Sequence, residues 1–193
     1  MQRYHSLNRF FQGRKNSRGR KPRGLSQPIR RLCHEHLEDR SLLAVLWVTT
    51  AADSGDGTLR WAIAQANSAS GADTIQFASE LADQTITLTQ GELKITDDLT
   101  ITGLGADQLT ISGNSSSRIF EISGGVKVKI EGLSLVNGRL AILNSGNLII
   151  EACTLANNSA YAGGAIQNAG GDLAIKDSTL GLQQGQRLRR RHL

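Results

Sequence analysis

The chain has 193 residues, a net charge of +5 and 21 glycines, while only 4% of its residues are aromatic. This composition predicts many tight turns and few large core side chains. No apolar run approaches the roughly 20 residues that a membrane-spanning helix requires, so the sequence predicts no such helix. The two cysteines, Cys33 and Cys153, lie in segments of different character, which argues against a disulfide framework.

The basic residues are concentrated at the two ends of the chain. Residues 1–40 contain 11 Lys and Arg against 3 acids, residues 41–180 contain 7 against 14, and residues 181–193 contain 4 against none. Residues 1–36 lack apolar periodicity, so we expect a disordered basic arm that acts as an export or sorting segment. Such an arm can alternatively bind nucleic acid or an anionic surface, although no recognition motif accompanies it.

The apolar run LLAVLWV, within the segment 37–48, has two interpretations. It follows a long basic segment and is just long enough for the hydrophobic region of a signal peptide. It can equally form the first buried strand, because so short an apolar run cannot be assigned by periodicity alone.

Residues 49–80 predict one amphipathic helix followed by one strand. Asp56 and Thr58 are available as N-terminal caps, Gly71 ends the helix, and DTIQF begins the strand. Trp61 lies on the polar side of this helix, against LLAVLWV or at the rim. The apolar positions that share the opposite face are Leu59, Ala62, Ile63 and Ala66.

Residues 81–180 contain a repeat made only of short strands and turns. VKIEGLSL, LIIEACTL and LAIKDSTL begin at Val128, Leu148 and Leu173, at intervals of 20 and 25 residues. A second class of strand, IFEI, LAIL and AIQN, recurs between them. A repeat of this length, with two strand classes in step, predicts an all-β, right-handed parallel β-helix whose coils must stack. The residues expected at its turns, where they could form ladders, are Asn137, Asn144, Asn147, Asn157, Asn158 and Asn168.

The position of the predicted helix, just before the first coil, suggests a structural role for it. The first coil of a β-helix exposes unpaired backbone groups and the end of its apolar interior, so a cap is needed against edge-to-edge association. We therefore predict that the helix covers the first coil. Residues 181–193 show neither alternation nor an Asn turn, and we interpret them as an aberrant basic tail from a frameshift in a longer β-helical protein, or as a genuine basic tail.

Three motifs resemble known bacterial surface proteins. LEDRSLLA, at 37–44, resembles the LEPR-XLL motif of planctomycete-type exported proteins, with Asp39 in place of Pro. TLRWAIAQAN followed by DTIQF resembles the CSLREA-type segment that begins many surface β-helices, although Gly57, Thr58 and Trp61 replace its Cys, Ser and Glu. The matching positions are Leu59, Arg60, Ala62, Ile63, Asn67, Asp73, Thr74, Ile75 and Phe77.

The third motif resembles the polymorphic outer-membrane-protein repeat. Its GGAI element is intact, and its F-x-x-N element is present only as Leu155 to Asn158. The residues of GGAI are Gly163, Gly164, Ala165 and Ile166. Together the three resemblances imply a β-helix that is exported to the cell surface or outer membrane, where such proteins serve as adhesins, passenger domains and scaffolds.

Few residues offer catalytic chemistry. The four histidines, His5, His34, His36 and His192, lie outside the β-helix. Asp97 and Asp98 are adjacent, so their side chains should diverge as turn residues and should not form an acid–base pair. Lys127, Lys129 and Glu131 alternate on one strand face, as solvated residues do. CHEH, at 33–36, contains zinc-ligand types without a second ligand pair, and we predict no metal or cofactor.

The sequence therefore predicts an exported, non-catalytic surface scaffold or adhesin that binds polysaccharide or another surface protein. The first alternative is a polysaccharide-active lyase or hydrolase. The second is a basic-armed binder of nucleic acid or an anionic surface.

Overall fold

The structure is a computed structural model that describes residues 43–160 and 164–183. This part of the chain contains short strands, one α-helix (α1, Leu59–Ala66) and one 3-10 turn (Ser79–Leu81). The strands are β1 (Val45–Val48), β2 (Asp73–Phe77), β3 (Gln84–Thr87), β4 (Leu93–Ile95), β5 (Leu99–Thr102), β6 (Leu109–Ser112), β7 (Arg118–Ile122), β8 (Lys127–Glu131), β9 (Ser134–Val136), β10 (Leu140–Asn144), β11 (Asn147–Glu151), β12 (Thr154–Ala156), β13 (Ile166–Asn168), β14 (Leu173–Lys176) and β15 (Thr179–Leu180).

The strands form three parallel sheets that the chain visits in turn. Sheet A has the order β1-β2-β5-β8-β11-β14, sheet B the order β3-β6-β9-β12-β15, and sheet C the order β4-β7-β10-β13. One strand from each sheet makes a coil, and each strand pairs with its counterparts in the preceding and following coils. The architecture is a parallel β-helix, and the predicted fold class is confirmed.

The interior consists of apolar rows that run from coil to coil. In sheet A, Ile75, Ile101, Ile130 and Ile150 occupy one register position and are fully buried. Sheet B contributes Ile86, Ile111, Leu135 and Leu155 in the same way. A coil of three short strands is too small to bury its own apolar side chains. Each of these side chains is therefore buried by the coils above and below it.

The repeat predicted from sequence sets the observed register of sheet A. Val128, Leu148 and Leu173 are direct partners, as the alignment of the three repeat units requires. The second strand class is displaced by one residue, because Leu140 pairs with Arg118 and not with Ile119. Ile119 and Phe120 are both buried, and two successive apolar residues do not reveal which of them points inward.

The apolar run before the helix contains a strand. Val45–Val48 forms β1 and pairs in parallel with β2, so these four residues support the strand interpretation of LLAVLWV. Val48 and, in part, Leu46 pack into the core, while Val45 and Trp47 point outward and are about half exposed. Leu42, the first residue of the run, lies outside the described residues.

Helix α1 packs against the end of the β-helix, as predicted. Leu59, Ala62, Ile63 and Ala66 are buried in the core, and the helix contacts β1, β2 and β4. The Thr58 hydroxyl accepts a hydrogen bond from Trp61 N at 3.1 Å, which satisfies one free donor at the helix N-terminus. Trp61 itself is partly buried against the core cluster.

The helix ends earlier than the sequence predicts. Its C-cap is Asn67, whereas Gly71 was the expected end; Gly71 has a φ of 128° and lies in the turn that leads to β2. The physical reason is that the Asn67 side chain binds the backbone beside β4, which holds the last turn of the helix against the first coil.

Several asparagines occupy turns or ladders, as predicted. Asn137 and Asn157 have φ values of 52° and 55°, in the left-handed region that asparagine tolerates. Asn144 is fully buried and donates to Asn168 Oδ1 at 2.7 Å, which forms a ladder between two coils. Cys153 is also buried, and burial raises the pKa of its thiol.

The regular coil continues slightly beyond the predicted boundary at residue 180. Asn158 accepts from Gly138 N and donates to Leu135 O, and Gln183 repeats this arrangement one coil later with Asn158 N and Leu155 O. Residues 181–183 therefore belong to the β-helix. The rest of the tail, the basic arm at 1–36 and the CHEH segment lie outside the described residues.

The buried helix face gives a first prediction. Ile63→Asp places a carboxylate in the apolar contact between α1 and the first coil, so it should lower the free energy of unfolding by about 3 kcal/mol or more and promote aggregation. Thermal unfolding and light scattering measure both effects. Ala64→Asp is the matched control, because Ala64 is exposed on the same helix. Equal stability of the two variants would contradict the cap.

Candidate recognition surface

The cap residues carry a hydrogen-bond network that replaces a missing neighbouring strand. Asp53, which is buried, accepts the backbone N–H groups of Thr89 and Gln90 with one carboxylate oxygen, at 2.6 and 2.8 Å. Its other oxygen pairs with the guanidinium of Arg60 at 2.9 Å. Arg60 in turn donates to the carbonyl oxygens of Gly91 and Glu92, at 2.6 and 3.0 Å.

Asn67 extends this network to the backbone on either side of Ile95 in the first coil. Its Nδ2 donates to Lys94 O and its Oδ1 accepts Thr96 N, both at 2.8 Å. An asparagine side chain offers an NH2 donor group and a carbonyl acceptor, and here it uses one of each toward the backbone, as a strand residue would. Asp53, Arg60 and Asn67, which we call the cap residues, therefore satisfy backbone groups between positions 89 and 96 that would otherwise face an empty edge.

The remaining motif residues are structural as well. Ile75 and Phe77 are buried in β2, and Asp73 Oδ1 accepts Ala44 N at 2.9 Å, which fixes the entry to β1. Gly164 has a φ of 57°, and a Cβ there would lie 2.4 Å from Gln183 Cβ. Ala165 is buried and Ile166 begins β13. Gly163 lies outside the described residues.

The cap network gives a second prediction. Asp53→Ala leaves two backbone donors without an acceptor and removes the charged partner of Arg60, so it should lower the free energy of unfolding by about 3 kcal/mol. Denaturant unfolding measures this loss. Asp56→Ala, at an exposed position three residues away, is the control and should change stability by about 0.5 kcal/mol or less. A loss of that small size for Asp53→Ala would show that the network does not hold the cap.

The outer face of sheet A presents one side chain from each coil in a straight row. The pairing register places these residues side by side from β1 to β14, and we call them the outer row: Trp47, Gln76, Thr102, Glu131, Glu151 and Lys176. Successive members are about 4.8 Å apart, the spacing of hydrogen-bonded strands. The row is therefore a linear array of aromatic, amide, hydroxyl and charged groups along the axis of the β-helix.

Trp47 forms one end of the outer row. Its side chain is 52% exposed, although the neighbouring residues of β1 are anchored in the core. Gln76 follows on β2, and its side-chain amide makes no hydrogen bond within the described part of the chain. Both groups are consequently free to contact a molecule outside the chain.

The centre of the row is an ion cluster. Lys129 Nζ contacts carboxylate oxygens of Glu131 and of Glu151, the second at 3.0 Å, and Thr102 Oγ1 donates to Glu131 at 2.8 Å. The hydrogen bond from Lys129 is the main cause of a lowered pKa at Glu131, and the two carboxylates raise the pKa of Lys129. A carboxyl group with a lowered pKa is unsuited to donate a proton as a general acid.

Asp97 and Asp98, the adjacent acids considered above as catalytic candidates, both accept hydrogen bonds from backbone N–H groups. Asp97 accepts the N–H of Asp98 at 2.8 Å, and Asp98 accepts Lys127 N in the next coil at 2.7 Å. Each thus stabilises a turn. Within residues 43–160 and 164–183, no group of three or more His, Cys, Asp or Glu side chains is arranged to hold a metal ion.

Sequence reasoning found Arg60 and Asn67 but missed Asp53 and the outer row. The row becomes visible only when the coil register is known, because its members are 20 to 29 residues apart and only Glu131 and Glu151 share a residue type. Asp53 lies seven residues before Arg60, and an acid in a loop carries no distinctive signal.

The comparisons with known proteins give no family assignment. No family model matches the chain, and a search of the curated proteins found no match. Among the described residues, no helix is long and apolar enough to cross a membrane.

The ion cluster gives a third prediction, on pH. Because the pKa of Glu131 is lowered in the folded state, its contribution to stability is present above the ordinary glutamate pKa and is lost as pH falls through the folded value. Between neutral pH and about pH 3, Glu131→Gln should therefore lose less stability than the parent chain. Thermal unfolding across this range measures the difference, with the exposed Glu80→Gln as control. Identical pH profiles for Glu131→Gln and the parent would contradict the assignment.

Proposed function

We propose that this protein is an exported, non-catalytic β-helical scaffold of the adhesin type, which is displayed at the cell surface and binds polysaccharide or another surface protein. The observation that carries the proposal is the outer row of sheet A. Six strands hold its side chains at a constant spacing on a backbone that is hydrogen-bonded on both sides in every coil but the terminal ones. A linear, regularly spaced surface of this kind suits an extended partner.

The charge arrangement within the row favours binding over catalysis. Lys129 contacts the carboxylates of both Glu131 and Glu151, and its hydrogen bond is the main cause of the lowered pKa of Glu131, which favours the ionised form of that group. Hydrolysis of a glycosidic bond requires one carboxyl group that stays protonated and one that is ionised. The ion cluster therefore makes Glu131 unsuited to the role of the protonated carboxyl group.

Surface display is tested directly on intact cells that produce the full chain. We expect an antibody against the β-helix to label these cells without lysis, and protease added outside to remove the label. Labelling that appears only after lysis would overturn the proposal for its location.

The non-catalytic assignment is tested with purified chain and a panel of acidic and neutral polysaccharides. We expect no new reducing ends and no unsaturated products above a heat-denatured control. Turnover that disappears in Asp97→Ala, Asp98→Ala or Glu131→Gln would establish the polysaccharide-active alternative instead.

A further inference from the structure

We propose that Trp47 and Gln76 form a sugar-binding subsite, at which a neutral polysaccharide stacks on the Trp47 indole ring. This inference rests on the proposed function, because it names the ligand class and the subsite of the same outer row. It is carried by the position of the two side chains at the end of that row.

Trp47 is exposed on a strand that is itself fixed. Val48 is fully buried, Leu46 packs against the core, and the Asp73 carboxylate holds Ala44 N at 2.9 Å just before the strand. The indole is therefore presented by an anchored backbone and not by a free loop. Binding then costs little ordering entropy, which favours a site of this kind.

Trp47 is about half exposed, and its neighbours in the outer row place polar groups beside it. Gln76 is its direct partner on β2, and Thr102 follows on β5. The Gln76 amide supplies an unused donor and an unused acceptor, while the Thr102 hydroxyl donates to Glu131 and keeps acceptor capacity. An exposed aromatic ring with hydrogen-bonding groups beside it is thus built into three successive strands of sheet A.

A sugar ring matches this combination. Its C–H groups form an apolar face that can lie on an indole ring, and its hydroxyls project from the rim, where an amide can both donate and accept. The row continues along the axis of the β-helix, so further sugar units of an extended chain would meet Thr102 and the ion cluster.

Charge selects a neutral chain over an acidic one. Residues 41–180 contain 14 acids against 7 Lys and Arg. Within the row, Glu131 and Glu151 share the ammonium of Lys129, and Lys176 is the next member after Glu151, so the net negative charge belongs to residues 41–180 as a whole and not to the row. The net negative charge of residues 41–180 disfavours an acidic polysaccharide, whereas hydroxyl groups can donate to the carboxylates of Glu131 and Glu151.

The experiment measures the retardation of the full chain in native gels that contain galactomannan, hydroxyethyl cellulose, dextran or polygalacturonate, together with the change in tryptophan fluorescence. We expect at least one neutral polymer to bind. Trp47→Ala should weaken that binding about tenfold or more, and Gln76→Ala should weaken it by a smaller factor. Trp47→Phe keeps an aromatic ring and should retain most of the affinity.

Ile149→Ala is the matched control, because Ile149 is an exposed apolar residue on sheet A outside the outer row. The binding of a variant is compared with that of the parent chain only when its unfolding curve is close to that of the parent, which shows that the variant is folded. Unchanged binding by Trp47→Ala, an equal loss in Ile149→Ala, binding to polygalacturonate alone, or no binding to any neutral polymer would each overturn the subsite. None of these outcomes affects the surface-labelling result, so the two proposals fail separately.

Discussion

Each coil of this protein depends on the next coil to bury its apolar interior. A coil of three short strands encloses too little volume to exclude water from Ile101 or Ile111 alone, yet both are fully buried once coils stack on either side. Apolar burial therefore depends on neighbouring coils along the axis. A coil at either end of the stack has such a neighbour on one side only. In the last coil that the structure describes, Ile175 is 40% exposed and Leu180 is 53% exposed, although the residues at the same register positions inside the stack are fully buried.

The N-terminal end solves this problem with two different groups of atoms. The apolar face of α1 covers the end of the interior, and the side chains of Asp53, Arg60 and Asn67 bind the backbone edge next to it. A helix alone could not satisfy a strand edge, since its backbone groups are bonded within the helix except at its two ends. The polar cap residues do so because a carboxylate, a guanidinium and an amide together supply the acceptors and donors that a neighbouring strand would provide.

The same stacking leaves the outer faces free to vary. Inward positions are mostly apolar because they are buried, with the hydrogen-bonded Asn144 as an exception, whereas the outward positions of sheet A include an aromatic, an amide, a hydroxyl and both signs of charge. Stacking also fixes the distance between these groups, so the sequence controls their chemistry and the fold controls their spacing. This division explains how a surface for an extended ligand can arise on a fold whose interior is nearly uniform.

The sequence predicts those parts of the structure that produce a pattern among residues close together in the chain. The strand period, the repeat of Val128, Leu148 and Leu173, and the apolar helix face are local patterns, and they predict the β-helix and its cap correctly. The register of sheet C is displaced by one residue, because Ile119 and Phe120 are both apolar and only packing decides between them. The outer row and Asp53 depend on contacts between distant residues, which periodicity does not reveal.

Amide hydrogen exchange of the parent chain, read at single residues, tests most directly whether the cap side chains replace a missing strand. Thr89, Gln90 and Thr96 donate to Asp53 and Asn67, so their exchange should be about as slow as that of amides inside the stack, such as Ile130. Rapid exchange of these three amides, with Ile130 still protected, would contradict the account, because the edge of the first coil would then be open to water.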